Sequence, residues 1–310
     1  MNSHYELVPL ANGLFSIRLL ANGETFHPVI GPVAEAEALY IKQLKLRERA
    51  THFQHLTGPG TRQDDGGTME PFVIWDIGLG AGGNVLTTFN SLKEVTTHLH
   101  VVSFDHTLGA LRFALEHAGP LQFPVGFETV IEELLRTHRV EFRHGALQVT
   151  WEVHVGDFPG ALTGARPGWP APHAIFFDAF SPARNPAMWT LPLFENLFRY
   201  LDPKRPCTLA TYTRSTIPRV TLLLAGFFVG AGDPVAAKNE TTIASNSLEL
   251  IERPLGARWL ERARTSHSAE PLHTDEYQIA PLAPETWERL RAHPQFASDG
   301  MSPVQPSDAP

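Results

Sequence analysis

The chain's chemistry-bearing residues fall at the ends of apolar runs. Phe72-Val73-Ile74-Trp75-Asp76-Ile77 leads into a glycine-rich turn, Gly78-Leu79-Gly80-Ala81-Gly82-Gly83-Asn84. Leu99 to Phe104 ends at Asp105, Val149 to Val155 at Gly156-Asp157, and His173 to Phe177 at Asp178. Alternate glycines let a backbone approach a ligand closely and turn sharply into a helix. No Gly-Lys-Ser or Gly-Lys-Thr follows, so the turn is not a P-loop. A carboxylate about 25 residues beyond such a turn fits a ribose-binding acid. That spacing does not separate a nicotinamide cofactor from S-adenosylmethionine. Asp157 stands where a carboxylate can accept from an adenine amino group. Asp105 or Asp157 standing alone would read better as a helix cap than as a ligand-binding residue. In series at strand ends, they outline the edge where open α/β sheets bind ligands. Asp178 opens a proline-pinned, aromatic loop, Ala179-Phe180-Ser181-Pro182-Ala183-Arg184-Asn185-Pro186-Ala187-Met188-Trp189. It reads as an acid in a cleft walled for a flat substrate.

The elements that must hold these residues alternate between short strands and helices from Pro71 onward. Helices are expected over 85–92, 108–117, 124–138, 186–200 (Asn185 as N-cap, Pro186 at the first position) and 215–225. A fifth strand is expected over 207–212 and a hairpin at His144-Gly145. This alternation predicts an α/β fold, Rossmann-like, with a doubly wound, mostly parallel sheet. Ahead of it, 5–10 and 14–20 read as strands, each followed by Ala-Asn-Gly, a turn signal. Residues 35–49 read as one amphipathic helix and 57–68 as a polar loop. The expected divisions are 1–56 (β-rich segment and helix), 71–252 (core), 253–296 (helical C-terminal extension) and 297–310 (disordered tail, rich in Ser, Pro and Asp).

The segment 176–189 resembles the signature of the methyltransferase domain of the MnmC family, bacterial tRNA wobble-uridine modification enzymes. Asp178, Phe180, Pro182, Ala183, Asn185, Pro186, Met188 and Trp189 match its pattern Asp-Gly-Phe-Ala-Pro-Ala-Lys-Asn-Pro-Asp-Met-Trp, and Arg184 replaces Lys. Residues 208–213 and Ala225-Gly226-Phe227 are similar to the following strand and turn of that family. Gly31 to Tyr40, with Glu35 or Glu37, loosely resembles its Gly-Leu-Glu-Glu-Thr segment, and Lys238-Asn239-Glu240 its Lys-Arg-Glu. The resemblance implies a class I S-adenosylmethionine-dependent methyltransferase. It places Gly78, Gly80 and Gly82 against the cofactor's methionine part, Asp105 at the ribose and Asp157 beside the adenine. It makes Asp178 the catalytic acid, and Phe180, Arg184, Asn185 and Trp189 then wall the substrate. The implied reaction is N-methylation of 5-aminomethyl-2-thiouridine in tRNA to 5-methylaminomethyl-2-thiouridine. A sulfonium methyl is already electrophilic, so the chemistry asks for no metal. The flavin oxidase domain of fused family members is not expected in this chain.

Composition narrows the field. With 43% hydrophobic and 19% charged residues, the chain has the make-up of a folded protein rather than a disordered one. A formal net charge of −8 argues against coating nucleic acid through bulk electrostatics. A local basic surface from Arg184, Arg199, Lys204, Arg205, Arg214 and Arg219 is the compensating expectation; a solvated charged face is the alternative. The single cysteine, Cys207, excludes a disulfide framework and is expected to be buried and inert, as Trp75 and Trp151 are expected to be core. His52-Phe53-Gln54-His55 and His98-Leu99-His100 lack the partners of a metal site. No apolar run reaches membrane-span length and no signal peptide is evident, so a cytoplasmic location is expected. Two rivals stand beside the tRNA reading: a methyltransferase of the same fold acting on a small amine or a peptide, and a non-catalytic module binding RNA or a partner protein. Aminopropyl transfer is a more distant third.

Overall fold

The computed structural model describes residues 4–57, 70–164 and 168–297. The polar loop expected over 57–68 lies, beyond Thr57, outside the described residues, and so does the tail after Ala297.

The N-terminal strands are β1 (Tyr5–Pro9), β2 (Phe15–Leu19) and β3 (Glu24–Thr25), joined as an antiparallel sheet with Tyr5 opposite Leu19. Both Ala-Asn-Gly turns form as expected. Asn12 and Asn22 each accept, through the side-chain oxygen, from the backbone N–H two residues on, and Gly13 and Gly23 take positive φ.

The central sheet is built from β4 (Phe72–Ile77), β5 (His98–Asp105), β6 (Arg139–His144), β7 (Leu147–Val155), β8 (Ala174–Phe177), β9 (Thr208–Thr211), β10 (Phe228–Gly232) and β11 (Thr241–Ser245). Its order is β10-β11-β9-β8-β4-β5-β7-β6. The pairs among β7, β5, β4, β8 and β9 are parallel. β6–β7 is the hairpin expected at His144-Gly145. The antiparallel β10–β11 pair and its seat on β9 carried no clear signal, because β10 is a short, twice-glycine edge strand. That edge is tied down from the C-terminus: Gln295 accepts from Val229 N and donates to the carbonyls of Val229 and Leu255.

β4 is buried along its whole length and shows why both faces of the sheet need cover. Phe72 and Ile74 pack with Ile17, Leu39, Tyr40 and Leu46 of the N-terminal segment. Val73, Trp75 and Ile77 face the other way, into a core shared with Trp259, Leu260, Leu290 and Phe296 of the C-terminal extension. Trp75, Trp151 and Cys207 are buried as expected, and burial pushes the Cys207 thiol up to about 12.

Two helix readings are corrected. Residues 35–49 are not one helix: an α-helical start, Pro32–Ala36, widens into a π-helical stretch, Glu37–Lys42, and a new helix runs Leu46–Thr57. The break falls at Lys45, which takes a left-handed φ of 50°. Asn185 does not cap a long helix either. Pro186–Trp189 is one 3₁₀ turn, and the helix Leu191–Tyr200 starts at Thr190, whose hydroxyl accepts from Leu193 N.

Arg219, read as a surface cation, is fully buried. It donates to Thr242 Oγ1, Glu240 Oε1 and the Thr241 carbonyl, stapling the helix Thr216–Leu224 to β11. Arg219→Met removes these bonds while leaving Glu240 and Thr241 in place. It is expected to cost about 2–4 kcal/mol, read as a lower urea midpoint at unchanged slope.

Candidate active site

The carboxyl ends of β4, β5 and β8, with the turn after β7, open onto a cavity of about 460 Å³. Tyr5, Phe26 and His27 of the N-terminal segment form the opposite wall. The position follows from the strand order. The chain leaves β4 toward β5 on one side and returns to β8 on the other, which parts the loops above that junction.

The glycine turn is shaped by two crowded contacts. Gly78 has φ 97°, and a β-carbon there would stand 2.8 Å from the backbone oxygen of Asp178. Its N–H and that of Leu79 both donate to the Phe104 carbonyl, binding the end of β4 to β5. Gly80 N donates to Asp105 Oδ2 at 2.8 Å and Thr107 N to Asp105 Oδ1 at 3.2 Å. Burial raises the Asp105 carboxyl above its ordinary range, and these backbone donors oppose the rise. Gly78, Gly80 and Asp105 all line the cavity. Gly82 does not. It begins the helix Gly83–Leu92 in a left-handed conformation, with Leu111 against its α-carbon.

Asp157 departs from its expected place. Its carboxylate caps the short helix Phe158–Ala161, accepting from Gly160 N at 2.9 Å, while its neighbours Gly156 and Phe158 form the cavity wall. The alternative reading of an aspartate after a strand, a helix cap, describes what this side chain does.

Asp178 lies in the cavity wall as expected. Its Oδ2 accepts from Asn84 Nδ2 at 2.8 Å and stands 3.9 Å from His27 Nε2. Burial raises the carboxyl, while His27 and the Asn84 bond pull it down. The buried Tyr40 ring stacks on Phe176, and burial together with the Asp178 charge holds its hydroxyl well above the usual range. The π-helical stretch that carries Tyr40 is a device often found where a side chain must be re-aimed. Of the expected substrate residues, Phe180 and Asn185 line the cavity, and Phe180 meets Phe26 with ring centroids 6.0 Å apart. Trp189 is corrected to a core residue: it is buried against Phe177 and Phe194, and its Nε1 donates to the Phe180 carbonyl at 2.7 Å, fixing the loop from behind. Arg184 is outside the wall and pairs with Glu24 at 3.4 Å.

His27, Asn84 and Tyr212 were not singled out by sequence reasoning. Asn84 closes the glycine turn, and its position there was the available signal. His27 had no local signal, being one of 15 histidines in a turn. Glu35, met only within a loose resemblance, is buried and bonded to His27.

The arrangement suits an adenosyl sulfonium ligand. The glycine backbone is open at Gly80, where the nearest atom to a β-carbon would be of Phe26 at 3.5 Å, and the Asp105 carboxylate lies beside it in the cavity wall. Asp76, one residue before the turn's end of β4, is fully buried. Ser103 donates to its Oδ2, and its Oδ1 has no partner among the described residues. Burial pushes this carboxyl up to about 8. No group of three or more His, Cys, Asp or Glu among the described residues is placed to hold a metal ion.

Fold and site together define a class: the S-adenosyl-L-methionine-dependent methyltransferases. A family model for such methyltransferases matches residues 125–247. Within that class the chain is MnmC-like. It is 30% identical over 230 residues to the tRNA 5-methylaminomethyl-2-thiouridine biosynthesis bifunctional protein MnmC of Cupriavidus metallidurans, covering 68% of this chain and 32% of that one. To its namesake in Aeromonas hydrophila it is 29% identical over 258 residues, 77% of this chain and 35% of the relative. The chain thus spans about a third of the length of the curated relatives it matches. The solved structure of MnmC2 from Aquifex aeolicus shares the fold, with a TM-score of 0.64 at 23% identity over 94% of this chain and 85% of that one. No helix among the described residues is long and apolar enough to cross a membrane.

Proposed function

We propose that the chain methylates the exocyclic amine of 5-aminomethyl-2-thiouridine at the wobble position of tRNA. The observation that carries this reading is a half-buried carboxylate, Asp178, set between the glycine turn and an aromatic wall of Phe26, Phe180 and Tyr212. S-adenosyl-L-methionine supplies a methyl group activated by its sulfonium. The residues proposed to hold it are Gly78, Gly80 and Asp105, with Gly82 shaping the turn; Asp157 acts by capping the helix beside the cavity wall rather than by touching the adenine.

An alkylammonium has no lone pair to attack with, so its proton must leave. Asp178 accepts that proton, and burial raises its affinity for it. The nitrogen lone pair then forms the N–C bond as the C–S bond breaks, and the sulfur keeps that electron pair. Phe26 and Phe180, which line the cavity, would hold a planar base, and Asn185 in the same wall would bond its edge. Positioning supplies most of the acceleration. A tRNA substrate would place the reaction in the cytoplasm.

The test is transfer of labelled methyl from S-adenosyl-L-methionine to tRNA lacking this modification. Label in a methylaminomethyl uridine supports the reading; cofactor binding without label on tRNA overturns the substrate. Asp105→Ala is expected to weaken cofactor binding about 10- to 100-fold by calorimetry, the value of charge-assisted bonds to ribose hydroxyls.

A second reading, methylation of a small amine or peptide, is favoured by the charges outside the cavity. Arg184, Arg205 and Arg219 are each paired with an acid, Glu24, Glu70 and Glu240. Three of the six cations expected to form a basic surface for RNA are thus taken up by ion pairs, while half-buried Lys238 lies over the Tyr212 ring. A weak salt dependence of tRNA binding would support this reading.

A further inference from the structure

The acid assigned to proton acceptance is not alone in its pocket. Glu35 Oε2 meets His27 Nδ1 at 3.2 Å, and His27 Nε2 in turn stands 3.9 Å from Asp178 Oδ2. The three side chains make a carboxylate–imidazole–carboxylate row, and each of them lines the cavity. The backbone is bent to make it: His27 has φ 46°, a left-handed conformation that a side chain with a β-carbon disfavours. It is held there by the preceding residue, Phe26, whose N–H donates to the Ile17 carbonyl and whose own carbonyl accepts from the Ser16 hydroxyl. The turn that carries His27 is thereby fixed to β2. Pro32–Ala36 brings Glu35 in from the next element.

We propose that His27 is a positioning residue for this site: as an imidazolium shared between Glu35 and Asp178, it keeps the Asp178 carboxylate ionised and ready to take a proton from the substrate amine. This rests on the reading of Asp178 given above. The groups facing this row are Tyr40 from the π-helical stretch that follows Glu35, Asp76 from β4, Asn84 from the glycine turn, and Tyr212 after β9 with Lys238 over its ring. Burial and the Glu35 charge disfavour a negative charge on Asp178, so a nearby cation is needed to keep it ionised. His27 is the nearest group able to supply one. Burial works against the charged imidazole, but the Glu35 bond and the Asp178 and Glu35 charges outweigh it and raise its pKa. The sign follows. Without the imidazolium, Asp178 holds its proton more tightly, so its ionised fraction appears only at higher pH.

Two measurements test this. In the first, the imidazole ring carbon–proton signals are followed by NMR against pH in the full chain, with His27 assigned by their loss in His27→Gln. The proposal expects a His27 midpoint above 6.5, lowered in both Asp178→Asn and Glu35→Gln. A midpoint at or below 6.5, or one that neither substitution moves, overturns it. This arm needs no turnover, so it stands even if the tRNA reading fails. In the second, kcat/KM for amine methylation is compared between wild type and His27→Gln. The acid limb is expected to move up by about one unit, so that the loss is about tenfold below the limb and shrinks as pH rises. An equal loss at every pH would show a merely structural histidine and overturn the proposal. Loss of label from wild type itself would instead sink the methylation reading and leave the NMR result to decide on His27.

Discussion

Asp178→Asn is expected to lower kcat by about 10²- to 10⁴-fold while changing cofactor affinity little. The amide keeps the size of the side chain and can still face Asn84 and His27, but it cannot accept a proton at any accessible pH. The ammonium substrate would then have to lose its proton to bulk water before entering a cavity that excludes most of it. Because the cofactor's proposed contacts lie on Gly78, Gly80 and Asp105, the loss should fall on turnover and not on cofactor binding. Calorimetry and single-turnover methyl transfer separate the two. Raising the pH should recover part of the lost rate, since more of the free amine is then already neutral. A variant that loses cofactor affinity and turnover in equal measure would contradict this assignment.

The second large effect is expected at Gly78→Ala. Here the methyl group would sit 2.8 Å from the Asp178 carbonyl oxygen, and the backbone would hold an alanine at φ 97°. The left-handed conformation alone costs about 1–2 kcal/mol for a residue with a β-carbon. Relief of the contact must come from parting β4 and β8 at the ends where they are bonded through Asp178 N and the Ile77 carbonyl. A total destabilisation of about 2–4 kcal/mol is expected, visible as a lower urea midpoint. Cofactor affinity and turnover should fall together, because the same shift moves the glycine turn and Asp178. The contrast with Asp178→Asn is diagnostic: one variant spares cofactor binding and the other does not. Gly13→Ala provides a control, since its β-carbon would meet nothing within 4 Å and only the cost of its positive φ remains.

What could be read from the chain was local. Apolar runs of strand length ending in Gly or Asp marked β4, β5, β7 and β8, and the unbroken burial along β4 follows from that pattern. Asp105 and Asp178 were legible because a strand end is a fixed place relative to a parallel sheet. Asp157 and Trp189 were placed on the same logic and did other work, one capping a helix and the other packing beneath the loop it was expected to wall. In both cases the residue type was right for a site, but the direction of the side chain depended on a turn of helix that the sequence did not announce. The single helix read over 35–49 failed for a related reason. A 3.6-residue period cannot show that one turn has widened to the π form, and that widening sets the aim of Tyr40.

The sequence by itself determined the class of fold, the sheet edge onto which the cavity opens and two of the carboxylates that line it, because strand patterning and strand-end chemistry are written in neighbouring residues. Only the tertiary structure decided which side chains meet Asp178. Asn84 lies 94 residues before it in the chain, and His27 and Glu35 reach it from a segment that precedes the whole parallel sheet. Such meetings depend on strand order, on the crossing of the N-terminal segment over the sheet and on a strained turn at His27. No local period encodes any of these: partners brought together by the folding of distant segments are selected by the packing of the whole core.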